Sequence, residues 1–144
     1  LSLTGPKDPL LEELLAIVIA NGTSVVVAFD ENRSSGERFP SQREGVIFAR
    51  NEPPEPGSIF DYVSIPGNNV LAAQPIDTYG YMSGNSLSSA HLTAVLALIK
   101  QARPNLTPTE ISQMFFRRND QYANYNQINV CQLLQMLEVE NPCF

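Results

Sequence analysis

The pattern of hydrophobic and polar positions divides the chain into helices and short strands. Apolar residues recur at helical spacing from Pro9 to Asn21, where Asp8 can cap the first turn and Asn21-Gly22 can end the helix. Short apolar runs follow at Ser24 to Phe29 and Gly45 to Ala49, and such runs are typical of strands buried on both faces. The first third of the chain therefore predicts one amphipathic helix and two buried strands.

The remainder of the chain predicts one more strand, a hairpin and three helices. In chain order, the pattern predicts a proline-rich loop at Asn51 to Gly57, a strand at Ile59 to Ile65 that Pro66-Gly67 ends, a hairpin-like stretch at Leu71 to Met82, and helices at Leu87 to Ala102, from the N-cap Thr107 to about Arg118, and at Ile128 to Leu137. Thr107, Pro108 and Glu110 have the spacing of a capping box.

These elements predict the fold class and the residues that face the core. A helix and three strands followed by helices favour an α/β layered domain with a mostly parallel sheet. At 144 residues the chain is one domain at most and is long enough to bury a core. The residues expected to face the core from the later helices are Leu92, Val95, Leu96, Leu98, Ile99, Leu133, Leu134 and Leu137.

Composition excludes several classes of function. A net charge of −6, with no basic run, argues against a surface that binds nucleic acid. The longest apolar stretches, Leu14 to Ala20 and Ala94 to Ile99, are too short to span a bilayer. Cys131 and Cys143 with the single His91 are too few ligands for a structural zinc site. The two cysteines are interpreted either as a disulfide, which would hint at an oxidising compartment, or as two thiols.

The run from Ser83 to His91 carries the candidate chemistry. Gly84 allows a sharp turn, and Ser86 follows where a long helix begins and where free N–H groups and the helix dipole favour negative charge. An α/β fold can present a nucleophilic hydroxyl in this way. The simpler alternative is an ordinary helix start with Ser83, Ser86 or Ser88 as the N-cap.

Six segments, taken in order, resemble the subtilisin-like serine peptidases. Ser83 to His91 is similar to the Gly-Thr-Ser-Met-Ala-x-Pro-His block of that family, which places the nucleophile at Ser86. The other five segments are Leu1 to Pro6, Asn21 to Asn32, Val63 to Gly67, Pro104 to Ile111 and Ile128 to Val130, so the resemblance spans essentially all 144 residues. It implies the C-terminal half of a subtilisin-like three-layer α/β fold with a mostly parallel central sheet.

The resemblance also implies roles for single residues. Ser86 would attack the acyl group of a peptide or protein substrate, and Asn32 would donate to the oxyanion. The substrate cleft would lie between two walls. The wall residues are Ser2, Leu3 and Thr4 on one side and Phe29, Asp30 and Glu31 on the other.

Three positions depart from the family pattern. Glu31 stands where the family has Gly, Asn85 where it has Thr, and Ala90 where it has Pro. The acids Asp30 and Glu31 would favour a basic substrate side chain, or narrow the cleft, or simply be solvated.

The base for Ser86 is not expected within this chain. His91 lies five residues after Ser86, which is off the helical spacing of three or four, and it corresponds to a structural histidine of the family. The Asp and His of the family precede the segment that matches Leu1, so we expect a cleavage product or partial chain whose tightly associated partner is the N-terminal half. An extracellular or periplasmic location is expected.

Cofactor chemistry and other function classes receive less support. No cofactor is expected, and Asp8, Asp61 and Asp77 are too scattered to form a calcium loop. A degenerate peptidase fold that acts as a binding or scaffold protein is the main alternative. An esterase with a nucleophile elbow is weaker, because Ser88 stands where the second Gly of Gly-x-Ser-x-Gly would be.

Overall fold

A central parallel sheet forms the middle layer of the protein. The computed structural model describes residues 1–2, 4–31, 38–41, 43–53, 62–116 and 128–139. Strands β2 (Val25–Ala28), β4 (Val46–Arg50) and β5 (Val63–Ser64) pair in parallel in the order β2-β4-β5. Every residue of β2 is buried, as are the first four residues of β4, so the prediction of strands covered on both faces is confirmed.

Helices cover both faces of the sheet, as expected for a three-layer α/β fold. The long helix α2 (Asn85–Ala102) packs on one face with α3 (Pro108–Phe116) and α4 (Val130–Met136). The other face carries α1 (Pro9–Ala20), whose Leu15 packs among Val25, Val27 and Phe48. Successive strand residues therefore contribute to different cores, because side chains alternate between the two faces of a sheet.

Two antiparallel pairs flank this sheet. Strand β1 (Gly5–Pro6) pairs with β3 (Arg38–Phe39). Strands β6 (Val70–Gln74) and β7 (Thr78–Met82) form a hairpin with Leu71 opposite Tyr81, which confirms the hairpin-like stretch. Leu1 lies beside the edge of β2 that faces away from β4, where its carbonyl accepts from the Ala28 N–H at 2.9 Å.

The helix boundaries follow the capping signals with two differences. Asp8 caps α1 as predicted, since its carboxylate accepts from the N–H groups of Leu10 and Leu11. Helix α2 begins two residues before the predicted Leu87, because Gly84 with φ 150° turns the chain directly into the helix. The prediction that Leu98 is buried was wrong, since 43% of it is exposed.

The predicted capping box at the start of α3 is present. The Thr107 N–H donates to the Glu110 carboxylate at 2.8 Å, and the Glu110 N–H donates to the Thr107 hydroxyl at 3.2 Å. Hydrogen bonds from the backbone and side chain of Thr107 hold the pKa of Glu110 below its usual value of 4.5. The ionised carboxylate therefore stabilises the helix start above that pH, and the contribution is lost as the pH falls through the lowered pKa.

Replacing Thr107→Ala is expected to lower the free energy of unfolding of the full-length protein by about 1 kcal/mol, because it removes the N-cap acceptor. Urea denaturation at neutral pH measures the loss. The matched control is Thr109→Ala in the first turn of α3, which deletes the same atoms outside the cap and should change stability by less than about 0.5 kcal/mol. Equal losses for the two variants would contradict the capping role.

Candidate active site

The start of α2 lies against the carboxyl end of the sheet through a set of close contacts. The buried Ser88 hydroxyl donates to the Ile65 carbonyl at 2.9 Å, and the Gly84 N–H donates to the Gly67 carbonyl at 2.9 Å. A Cβ on Gly67 would lie 2.1 Å from the Ser88 Oγ and 2.8 Å from the Gly84 oxygen, so only glycine fits at this turn. These contacts place the first turn of α2 beside the ends of the strands.

Ser86 is exposed on this first turn and contacts the N-terminal segment. Its hydroxyl donates to the Ser2 carbonyl at 2.9 Å, and the Ser2 hydroxyl lies 3.2 Å from the Ser89 hydroxyl. Gly84 is the N-cap of α2 and makes no side-chain cap hydrogen bond, so the simpler alternative of a serine N-cap was wrong. The helix start therefore presents an accessible hydroxyl where the helix dipole favours negative charge.

The two predicted cleft walls meet through a side-chain hydrogen bond. The Thr4 hydroxyl donates to the Asp30 carboxylate at 2.9 Å. Ser2 and Thr4 lie on one side of this contact, and Phe29 and Asp30 follow β2 on the other. The predicted site residues Asn32 and Leu3 lie outside the described residues.

The second acid of the wall is held by an arginine that the sequence pattern did not single out. The guanidinium of Arg50 donates to Glu31 at 2.9 Å, to the Tyr62 hydroxyl at 2.9 Å and to Glu52 at 3.2 Å. Its Cζ lies 5.7 Å from the ring centroid of Phe29 and 5.3 Å from that of Tyr62, within cation–π distance. The sequence signal for this cluster was that the cationic residue Arg50 ends β4, a strand that is otherwise apolar.

This arginine cluster places a charged guanidinium beside the wall acid Glu31. Burial lowers the pKa of Arg50, but the Tyr62 hydroxyl and the Glu31 charge outweigh burial, so the pKa is raised and the guanidinium stays charged. Glu31 is thus one partner of an ion pair, and 49% of its side chain remains exposed. The same guanidinium also pairs with Glu52, so one cation faces two carboxylates.

Asn85 uses both ends of its amide to contact the sheet. The Asn85 Oδ1 accepts from the Asn51 N–H at 2.9 Å, and its Nδ2 donates to the Phe29 carbonyl at 2.8 Å. The residue before Ser86 is therefore bonded to the ends of both β2 and β4.

His91 lies on the second turn of α2. Its Nδ1 is 2.6 Å from the Pro66 carbonyl oxygen, and this contact supports the packing interpretation.

Within the described ranges, no group of three His, Cys, Asp or Glu side chains could hold a metal ion. Cys131 is disulfide-bonded, whereas Cys143 lies outside the described residues. None of the helices in the described part of the chain is long and apolar enough to cross a membrane.

Replacing Gly67→Ala is expected to lower the free energy of unfolding by about 1–3 kcal/mol, because the added methyl overlaps Ser88 and the Gly84 carbonyl. Thermal denaturation of the full-length protein measures the effect. Gly5→Ala is the matched control, since a Cβ there meets nothing within 4 Å. A Gly67→Ala variant as stable as the control would contradict the close packing.

Replacing Arg50→Lys is expected to cost about 1–2 kcal/mol of unfolding free energy, because a compact ammonium lacks the planar fork whose three nitrogens reach three separate partners and whose plane lies near two rings. Urea denaturation measures it. Arg103→Lys is the control, since Arg103 forms an exposed pair with Glu138 that should contribute less than about 1 kcal/mol. Losses of the same size in both variants would show that the Arg50 cluster has no special role.

Comparison with known proteins identifies the family of this site. The subtilase family model of the S8 peptidases matches residues 17–129. The major intracellular serine protease of Bacillus subtilis strain 168 is 31% identical over 137 residues, which cover 82% of this chain and 43% of that protein. Subtilisin BL of Lederbergia lenta is 26% identical over 119 residues, which cover 77% of this chain and 44% of that protein.

Another relative, the extracellular basic protease of Dichelobacter nodosus, is 27% identical over 116 residues, which cover 68% of this chain and 19% of that protein. The chain thus spans less than half the length of the curated relatives it matches. The match to the family model covers both the central sheet and the start of α2. The matched segment therefore includes the three-layer α/β fold and the exposed serine at the N-terminus of α2. The chain belongs to the subtilase family of serine peptidases.

Proposed function

We propose that this segment provides the nucleophile of a serine peptidase and that the nucleophile is Ser86. The observation that carries the proposal is the position of Ser86, exposed at the start of an 18-residue helix and bonded to the Ser2 carbonyl across the carboxyl end of a parallel sheet. Ligands and catalytic groups concentrate at this end of parallel α/β sheets.

The chemistry is acyl transfer to the serine hydroxyl. A base removes the proton of Ser86 as its Oγ attacks the substrate carbonyl carbon. The covalent acyl-enzyme forms when the C–N bond breaks and the base gives that proton to the leaving amine. The backbone N–H of Ser86 and the side chain of Asn32 are the proposed donors to the negatively charged oxygen of the tetrahedral intermediate. Water then releases the acyl group by the same steps.

The base and its orienting carboxylate come from outside this chain in the proposal. His91 is the single histidine of the sequence and contacts the Pro66 carbonyl, which supports a structural role. The Ser86 hydroxyl donates a hydrogen bond to the Ser2 carbonyl. In the proposal, this bond breaks so that the Ser86 hydroxyl can donate to the approaching base. We assign the base to an N-terminal portion that carries the Asp and His of the family.

Helix α1 supports the assignment of a partner portion. Five of its apolar side chains are 42–66% exposed, although a helix with this pattern normally buries its apolar stripe. These residues are Leu10, Leu11, Leu14, Ile17 and Val18. We assign the N-terminal portion of the domain to this face, since the relatives are more than twice as long as the matched segment.

The substrate and the compartment follow from the same proposal. A cleft between Ser2 to Thr4 and Phe29 to Glu31 would bind an extended peptide or protein segment. The disulfide at Cys131 favours an oxidising compartment, which supports an extracellular or periplasmic location. The names of the relatives include both an intracellular and an extracellular protease.

An inactive subtilase fold that binds partners is the second candidate function. The hydrogen bond from Thr4 to Asp30 favours it, because this bond joins the two proposed cleft walls where a substrate side chain would enter. The ion pair between Glu31 and Arg50 adds a bulky group to one wall. The two candidates differ in whether Ser86 reacts with an acylating probe.

Labelling of the full-length protein with a fluorophosphonate probe tests the proposal. We expect labelling that Ser86→Ala abolishes, because only an activated serine in an oxyanion site reacts quickly with this probe. The matched control is Ser83→Ala, which removes an exposed hydroxyl three residues earlier and should leave labelling intact. Absence of labelling in the folded protein would favour the binding protein, and labelling that survives Ser86→Ala would show that another residue is the nucleophile.

A further inference from the structure

The hydrogen-bond ladder between β2 and β4 is interrupted at its carboxyl end by the side chain of Asn85. Val25 is paired with Val46 and Ala28 with Ala49, and the Phe29 N–H donates to the Ala49 carbonyl at 2.8 Å. In a parallel ladder with this register, the next bond would join the Asn51 N–H directly to the Phe29 carbonyl.

The amide of Asn85 occupies that step instead. The Asn51 N–H donates to the Asn85 Oδ1 at 2.9 Å, and the Asn85 Nδ2 donates to the Phe29 carbonyl at 2.8 Å. A carboxamide has one acceptor and one donor in the arrangement of a peptide group, so it can replace a ladder bond with two bonds in series. A carboxylate cannot, because when ionised it only accepts.

The inserted amide has two consequences for the neighbouring nucleophile. It holds the ends of β2 and β4 apart, because two hydrogen bonds and an amide now span a gap that one bond would close. It also fixes the first residue of α2 to both strands, one residue before Ser86. Both bonds are partly buried, which makes them less open to competition from water.

We propose that Asn85 is a positioning residue, whose amide spaces the ends of β2 and β4 and thereby sets the position of Ser86 relative to the Ser2 carbonyl. The inference rests on the proposed peptidase function and deepens it. In this inference Asn85 acts on the reaction through the position of Ser86, and it stands where the family pattern has Thr. Errors of about 1 Å in the position of a catalytic group can cost about a hundredfold in rate.

The test compares Asn85→Asp and Asn85→Ala with the native full-length protein. Each rate of peptide cleavage is divided by the number of active sites titrated with an irreversible serine probe. Because unfolded protein does not react with the probe, it does not affect the resulting kcat per site. We expect kcat per titrated site to fall about 10- to 100-fold in both variants with KM changed by less than about twofold. The Asn85→Asp variant keeps an acceptor for the Asn51 N–H, but its carboxylate repels the Phe29 carbonyl oxygen. The Asn85→Ala variant removes both bonds and allows the Asn51 N–H to pair directly with the Phe29 carbonyl.

Asn68→Asp is the matched control. The Asn68 Oδ1 accepts from the side chain of Asn51 at 2.7 Å, so the variant makes the same chemical change nearby and keeps its acceptor. We expect its kcat per site to equal the native value.

The outcomes separate this inference from the proposed function. Unchanged kcat per site in Asn85→Asp and Asn85→Ala, with an active native enzyme, would overturn the positioning role and leave the peptidase function standing. A fall confined to the number of titrated sites would reduce Asn85 to a folding role and also overturn the inference. A native protein that neither reacts with the probe nor cleaves peptides would remove the peptidase function itself.

Discussion

The placement of Ser86 depends on the close approach between the first turn of α2 and the turn that follows β5. Gly67 leaves no room for a side chain there, and the buried Ser88 hydroxyl donates to the Ile65 carbonyl on the same face. Because these contacts lie at the edge of the packed core, the helix start cannot slide relative to the strand ends without breaking several of them. These contacts therefore hold the turn of α2 that carries the candidate nucleophile against the strand ends.

Side chains complete the hydrogen bonding at the carboxyl end of the sheet, where the strands stop pairing. The Asn85 amide bonds the backbone of Phe29 and Asn51, and the Arg50 guanidinium bonds Glu31 and Tyr62. Buried backbone groups that lose a ladder partner need another one, since an unsatisfied group is costly. The strand ends, where ladder pairing stops, therefore require polar side chains with both the right chemistry and the right reach.

The outer face of α1 exposes apolar side chains, in contrast to the polar side chains at the carboxyl end of the sheet. Its helical pattern predicts an apolar stripe, yet Leu15 is the one residue of the helix that is buried. Leu10 and Ile17 are 66% and 52% exposed on the described surface. An amphipathic pattern identifies the side of a helix that avoids water, but it does not identify what covers that side. The assignment of a partner portion to this face connects the exposed stripe with the greater length of the related proteases.

The sequence by itself determined the elements whose signals are local. The caps at Asp8 and Thr107 lie within three residues of the groups they bond, and the short valine-rich run of β2 specifies a strand without reference to its neighbours. The ordered motifs indicated the family and pointed to Ser86. They could do so because each motif is a short stretch of adjacent residues and is therefore also a local signal.

Only the tertiary structure decided how these pieces combine at the site. The partners of Thr4 and of the Asn85 amide are separated from them by 26, 34 and 56 positions along the chain, and the Arg50 cluster joins residues from three segments. No period or spacing rule connects such positions, since which side chains meet depends on strand register and helix packing. The exposure of Leu98 has the same origin, because helical periodicity gives the direction of a side chain while the neighbouring elements decide whether it is covered.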